Sequence, residues 1–131
     1  NKNFINYVGY QPFSKLHKIY SQASVFVLPT IEDGFAKVIL ESMSCGVPVI
    51  ATQNCAAEDI IENGVDGFII PAKDSNAIYE KIYFLYENPE KLKEMSISAL
   101  NKVNKKFNID DYGERIIKSY SESYKNYRLR K

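Results

Sequence analysis

The stretch from Val25 to Thr52, VFVLPTIEDGFAKVILESMSCGVPVIAT, decides how the rest of the chain is read. Val25-Phe26-Val27-Leu28 is an unbroken run of strand-forming apolar residues, the pattern of a strand buried on both faces of a parallel sheet. Pro29 ends it. Thr30-Ile31-Glu32-Asp33-Gly34-Phe35 then makes a turn carrying two carboxylates and a glycine, and a helix begins at Ala36 or Lys37 and runs to about Cys45. Gly46-Val47-Pro48 stops that helix in the usual order, glycine past the last turn and proline shortly beyond. Val49-Ile50-Ala51 is the next buried strand. The turn between strand and helix lies at the C-terminal edge of the sheet, where open α/β sheets bind their ligands.

Asp33 and Glu41 are separated by seven residues, one in the entry turn and one on the helix. This spacing resembles the E-x7-E signature of the retaining glycosyltransferases of the GT-B class, family 4, whose usual form is P-S-x-x-E-G-F-G-L-V-x-L-E-A-M-A-C-G-x-P-V-I-A-T. The resemblance holds at Pro29, Gly34, Phe35, Val38, Leu40, Glu41, Met43, Cys45, Gly46, Pro48, Val49, Ile50, Ala51 and Thr52. Three positions depart from it. Asp33 stands for the first glutamate and is one methylene shorter, Ala36 stands for the second glycine, and Lys37 stands where an aliphatic residue is usual.

The resemblance implies an α/β fold: a Rossmann-like doubly wound parallel sheet, the C-terminal half of a GT-B fold, with a helical C-terminal tail. Residues 1–131 would form a single domain, most of the nucleotide-sugar-binding domain, with the acceptor-binding N-terminal domain absent. The family's opening strand and its phosphate-contacting Arg and Lys would precede Asn1, so a fragment is expected, inactive in transfer on its own. By the same resemblance Glu41 is the ribose clamp, since a carboxylate accepting two hydroxyl hydrogen bonds makes strong charge-assisted contacts. The N–H groups at Phe35, Ala36 and Lys37, at the positive end of the helix, would meet the diphosphate or sugar oxygens. Gly34 belongs to this donor-binding set, and Asp33 takes the catalytic position beside the donor sugar's hydroxyls. There is no Asp-x-Asp in the chain, which fits an enzyme that uses neither metal nor cofactor.

The same residues also have plainer readings. Lys37 and Glu41 could form a surface i, i+4 ion pair of about 0.3 kcal/mol, in the less favourable order. Glu32 and Asp33 could be no more than helix-entry acids, which the helix dipole favours. Lys37 could lie in solvent rather than on a diphosphate. His17, the only histidine, falls off the apolar face of its helix and reads as a solvated residue.

A chain of 131 residues, 45% apolar and 25% charged, can bury a core without disulfides or metals. A net charge of +1 argues against a nucleic-acid partner. Cys45 and Cys55 make no recognisable metal spacing, and no apolar run reaches the length of a membrane span, so a cytoplasmic, soluble protein is expected. The tail holds Lys125, Arg128, Arg130 and Lys131 with Tyr124 and Tyr127. It reads either as a solvated end or as a peripheral contact with the inner face of an anionic membrane.

Flanking elements follow from pattern. Phe4 to Val8 alternates as a short strand, and Pro12 and Ser14 open an amphipathic helix of roughly three turns with Leu16, Ile19, Tyr20 and Ala23 on one face. Past Thr52 the family runs T-x-x-G-G-x-x-E, and here those places hold Cys55, Ala56 and Asp59; without the two glycines, either the loop takes another conformation or the ligand group it faces is different. A short helix at Asp59-Ile60-Ile61, a turn from Glu62 to Gly67 and the strand Phe68-Ile69-Ile70 come next. Ser75 caps a helix that Asn88-Pro89 breaks, a second helix starts at Glu90, and Asp110 caps a last one carrying Tyr112, Ile116, Ile117, Tyr120 and Tyr124.

The expected partners are a nucleotide-sugar donor and a glycan or lipid-linked acceptor, in polysaccharide biosynthesis. The alternative is a non-catalytic nucleotide-binding or assembly module that pairs with a separate acceptor-domain subunit. A sugar-nucleotide epimerase of the same architecture fits less well, because the match follows the transferase pattern through Thr52.

Overall fold

The computed structural model describes residues 4–34, 36–107, 117–122 and 124. Phe35 lies outside them, as do the expected cap Asp110, Tyr112, Ile116, and the tail residues Lys125, Tyr127, Arg128, Arg130 and Lys131. The elements are α1 (Phe13–Tyr20), β1 (Phe26–Leu28), α2 (Lys37–Ser44), β2 (Val49–Thr52), α3 (Ala57–Ile60), β3 (Gly67–Ile70), α4 (Ser75–Glu87) and α5 (Pro89–Lys106). Residues 117–122 are again helical. The three strands form one parallel sheet in the order β1-β2-β3.

Side-chain alternation along the strands divides the core between the two faces of the sheet. Phe26, Leu28, Val49, Ala51 and Ile69 pack toward Ile39 and Met43 of α2, Ile60 of α3 and Ala99 of α5. Val27, Ile50, Phe68 and Ile70 pack toward Leu85 of α4 and Met95 of α5. Helices therefore cover both faces, as the doubly wound reading requires, and every residue of the central strand β2 is buried.

The end of α2 shows why the sequence stops there. Gly46 takes φ +71°, Val47 N–H reaches Ser42 O at 3.1 Å and Gly46 N–H reaches Met43 O at 3.0 Å. This is the paired closure that a left-handed residue permits and that most side chains disfavour. Ser96 of α5 donates its hydroxyl to Gly46 O, fastening the two helices where α2 ends.

Four expectations are corrected. β1 is half-buried rather than buried on both faces, because among the described strands it is the sheet edge and only β2 flanks it. Residues 4–8 form no strand, and Phe4, Ile5 and Tyr7 are 94%, 87% and 91% exposed. Alternation suits a strand, but a strand exists only when its backbone finds a ladder, and no described strand pairs with this segment. α1 has eight residues, barely over two turns, and buries none of them fully. The cap of α4 is Asp74, whose carboxylate accepts the Ala77 N–H at 2.9 Å, one residue before the expected Ser75.

Candidate functional site

At the C-terminal ends of β1 and β2 two loops meet around an open cavity of about 590 Å³. The turn after β1 contributes Glu32, Asp33 and Gly34. The loop after β2 contributes Gln53, Asn54, Cys55, Ala56 and Asp59. Backbone and side-chain bonds staple the loops together. Thr52 Oγ1 donates to Thr30 O at 2.7 Å, Asn54 Nδ2 donates to Ile31 O at 2.9 Å, and Asp33 N–H donates to Asn54 O at 3.0 Å. Thr30 Oγ1 closes its own turn onto Glu32 O at 3.0 Å. The first loop is thus held by the residues that leave the central strand, so Asp33 is set by the sheet rather than by a free turn.

Among the described residues the lining carries three carboxylates and two amides and no lysine or arginine. Carboxylates and amides suit an array of sugar hydroxyls, which can donate to the acids and both donate to and accept from the amides. Among the described residues no group of three or more His, Cys, Asp or Glu is arranged to hold a metal ion. A Cβ built on Gly34 meets nothing within 4 Å. Packing inside the chain does not require glycine there, so the space beside it is open to a ligand.

α2 begins just past this turn. Its N-cap is Ala36, with no side-chain cap and no acid in the first turn, so nothing within the helix's own first turn neutralises its positive end. Ala36 is buried while Lys37 is exposed. Glu41, one turn along, faces a second and smaller cavity of about 180 Å³ between α1 and α2. There Tyr20 donates its hydroxyl to Glu41 Oε2 at 3.2 Å. The i, i+4 pair with Lys37 is not among the ion pairs of the described residues. His17 is exposed, as expected, and its backbone oxygen accepts the Ser21 hydroxyl and the Cys45 thiol.

The structure therefore brings Asp33 and Gly34 together with Cys55, Ala56 and Asp59, and keeps Glu41 at a separate cavity. Phe35 lies outside the described residues. Sequence reasoning did not single out Gln53 and Asn54. Their signal is position alone, two polar residues directly after a buried strand at its C-terminal end. Tyr20 was assigned to the apolar face of α1, and nothing in the sequence tied it to a residue 21 positions away.

Comparison with known proteins agrees with this fold. The family model described as glycosyl transferases group 1 matches residues 1–102. The capsular polysaccharide biosynthesis glycosyltransferase CapM of Staphylococcus aureus is 37% identical over 103 residues, covering 78% of this chain and 27% of CapM. The structure of a sucrose-phosphate synthase from Thermosynechococcus elongatus superposes with a TM-score of 0.84 at 25% identity, covering 92% of this chain and 30% of that one. The structure of HepE from Anabaena in complex with UDP-glucose superposes with a TM-score of 0.83 at 22% identity, covering 92% of this chain and 33% of HepE. The chain spans about a quarter to a third of the length of these proteins. No helix among the described residues is long and apolar enough to cross a membrane.

Proposed function

Since the chain belongs to the glycosyl transferases group 1 family, we propose that it is the donor-binding part of a retaining glycosyltransferase that moves a hexose-type sugar from a nucleotide donor to a glycan or lipid-linked acceptor in polysaccharide biosynthesis. The observation that carries this reading is the stapled pair of loops at the sheet's C-terminal edge, which sets Asp33 and Gly34 in a cavity lined by hydroxyl-binding groups. Asp33 would position the donor sugar near its anomeric carbon. The uncapped start of α2 at Ala36 and Lys37, with Phe35 before it, would meet the diphosphate and stabilise the charge that develops on it as the glycosidic bond breaks. Glu41 would accept the ribose hydroxyls. Ribose and sugar lie at opposite ends of a diphosphate, so the two carboxylates that serve them need not share a cavity. The acceptor would be bound outside these residues, and the reaction would need no metal.

That HepE is seen with UDP-glucose supports uridine as the base to test first. Calorimetric titration of the chain with UDP and GDP, with and without a chelator, should show one saturable nucleotide site that the chelator leaves intact. Glu41→Ala should weaken it at least tenfold, the equivalent of one charged hydrogen bond. Equal binding by Glu41→Ala and the unsubstituted chain would remove the clamp. Gly34→Ala gives an independent check on the cavity. Beyond its chain neighbours the added methyl meets no described atom within 4 Å, so thermal unfolding should be unmoved while UDP-glucose affinity falls about tenfold. Unchanged affinity would place the sugar elsewhere.

A further inference from the structure

The smaller cavity, between α1 and α2, holds Glu41 in a specific orientation. Tyr20, the last residue of α1, sits with its ring edge-on to Phe26 of β1, centroids 5.6 Å apart at an interplanar angle of 83°. From that fixed ring its hydroxyl donates to Glu41 Oε2. Burial, and then the Glu41 carboxylate beside it, push the Tyr20 phenol up to about 12, so it remains a protonated donor throughout the neutral range. Phe13 and Leu16 supply the apolar wall on the same side. Ser44, one turn further along α2, donates to the Glu41 backbone oxygen at 2.7 Å and leaves the carboxylate alone.

A glutamate on a half-exposed helix face has several rotamers, and a ligand that needs one of them must freeze the rest. A donor fixed on one carboxylate oxygen selects the rotamer in advance and leaves the other oxygen for a ligand. We propose that Tyr20 is a positioning residue whose hydroxyl holds the Glu41 carboxylate ready for the ribose hydroxyls of the nucleotide donor. This rests on the reading of Glu41 as the ribose clamp.

The test measures how strongly the chain prefers UDP over 2′,3′-dideoxy-UDP, which lacks both ribose hydroxyls. The corresponding guanosine pair is used if GDP is the nucleotide that saturates. Tyr20→Phe keeps the ring and its contact with Phe26 and removes only the hydroxyl. It should weaken UDP about fivefold, the size of one hydrogen bond, and leave 2′,3′-dideoxy-UDP unchanged. Glu41→Ala should abolish the preference altogether. Equal weakening of both ligands by Tyr20→Phe would mean a structural role only and would overturn the proposal, as would a preference that Tyr20→Phe leaves intact. If Glu41→Ala itself retains the preference, the ribose clamp fails and the positioning role goes with it. If Glu41→Ala loses it and Tyr20→Phe does not, only the positioning role fails.

Discussion

Gly67→Ala is expected to destabilise the chain by about 3 kcal/mol, the upper end of the usual cost of an extra methyl in a packed core. The reason is the register of the sheet. Gly67 opens β3 directly opposite Val49 of β2. A Cβ on Gly67 would lie 2.5 Å from Val49 O and 3.0 Å from Ile61 Cγ2. The obstacle is backbone, and that backbone has nowhere to go. Val49 is fully buried, its strand is paired on both sides, and Phe26 lies opposite it in β1. The Gly67 oxygen is also occupied, accepting the Gly64 N–H at 2.8 Å in the turn that leads into β3. Relief would have to open the ladder between β2 and β3. Thermal unfolding followed by circular dichroism should show a fall of roughly 10 °C. Gly34→Ala is the matched control, because its methyl meets nothing within 4 Å. If the two variants melt together, the sheet accommodates the methyl by a small shift and the close approach does not require glycine.

The unit from Val25 to Thr52 was readable because its elements are specified by neighbours in sequence. The apolar run, the turn, the left-handed Gly46 and the following proline each act within a few residues, and the helix and both strands appear where the pattern puts them. Reading failed where the deciding partner is distant. Phe4 to Val8 has the alternation of a strand, but pairing is a property of two segments, and here the second is not among the described strands. Whether β1 is buried on one side or two depends on what flanks it, which its composition does not state. Asp74 and Ser75 are both good caps, and only the geometry of the first turn chooses between them.

The candidate site divides along the same line. Asp33 and Gly34 were legible from the turn, and Cys55, Ala56 and Asp59 from the loop that follows the next strand. That these two loops are stapled into one cavity depends on Thr52 and Asn54 reaching back more than twenty residues. For Glu41 the sequence offered a neighbour at i−4, Lys37, and the structure supplies Tyr20 instead. Local pairs are the ones a sequence makes visible. At this site the distant pair is the one the helix packing brings into reach.

Lys102→Met is expected to cost about 3 kcal/mol, and the reason is a charge that sequence spacing did not connect to it. Asp66, in the turn before β3, is 1% exposed. One carboxylate oxygen accepts the Glu62 N–H at 2.8 Å, and the other meets the Lys102 ammonium of α5. Lys102 also donates to Ile60 O at 3.2 Å, the last residue of α3, and lies 3.9 Å from the Glu62 carboxylate. One cation therefore ties α5 to the end of α3 and to the turn that aligns β3. Removing it leaves a buried carboxylate with, among the described residues, a single backbone donor, and desolvation of that unpaired charge is the main penalty. Removing the charge as well should return part of the loss. Asp66→Asn keeps an oxygen for the Glu62 N–H, so the double variant Lys102→Met with Asp66→Asn should be more stable than the sum of the two single costs allows, by about 1 to 2 kcal/mol. Urea unfolding of the four proteins measures this coupling directly. Strictly additive losses would show that the two groups do not act as a pair, and that α5 is held to the sheet by its apolar face alone.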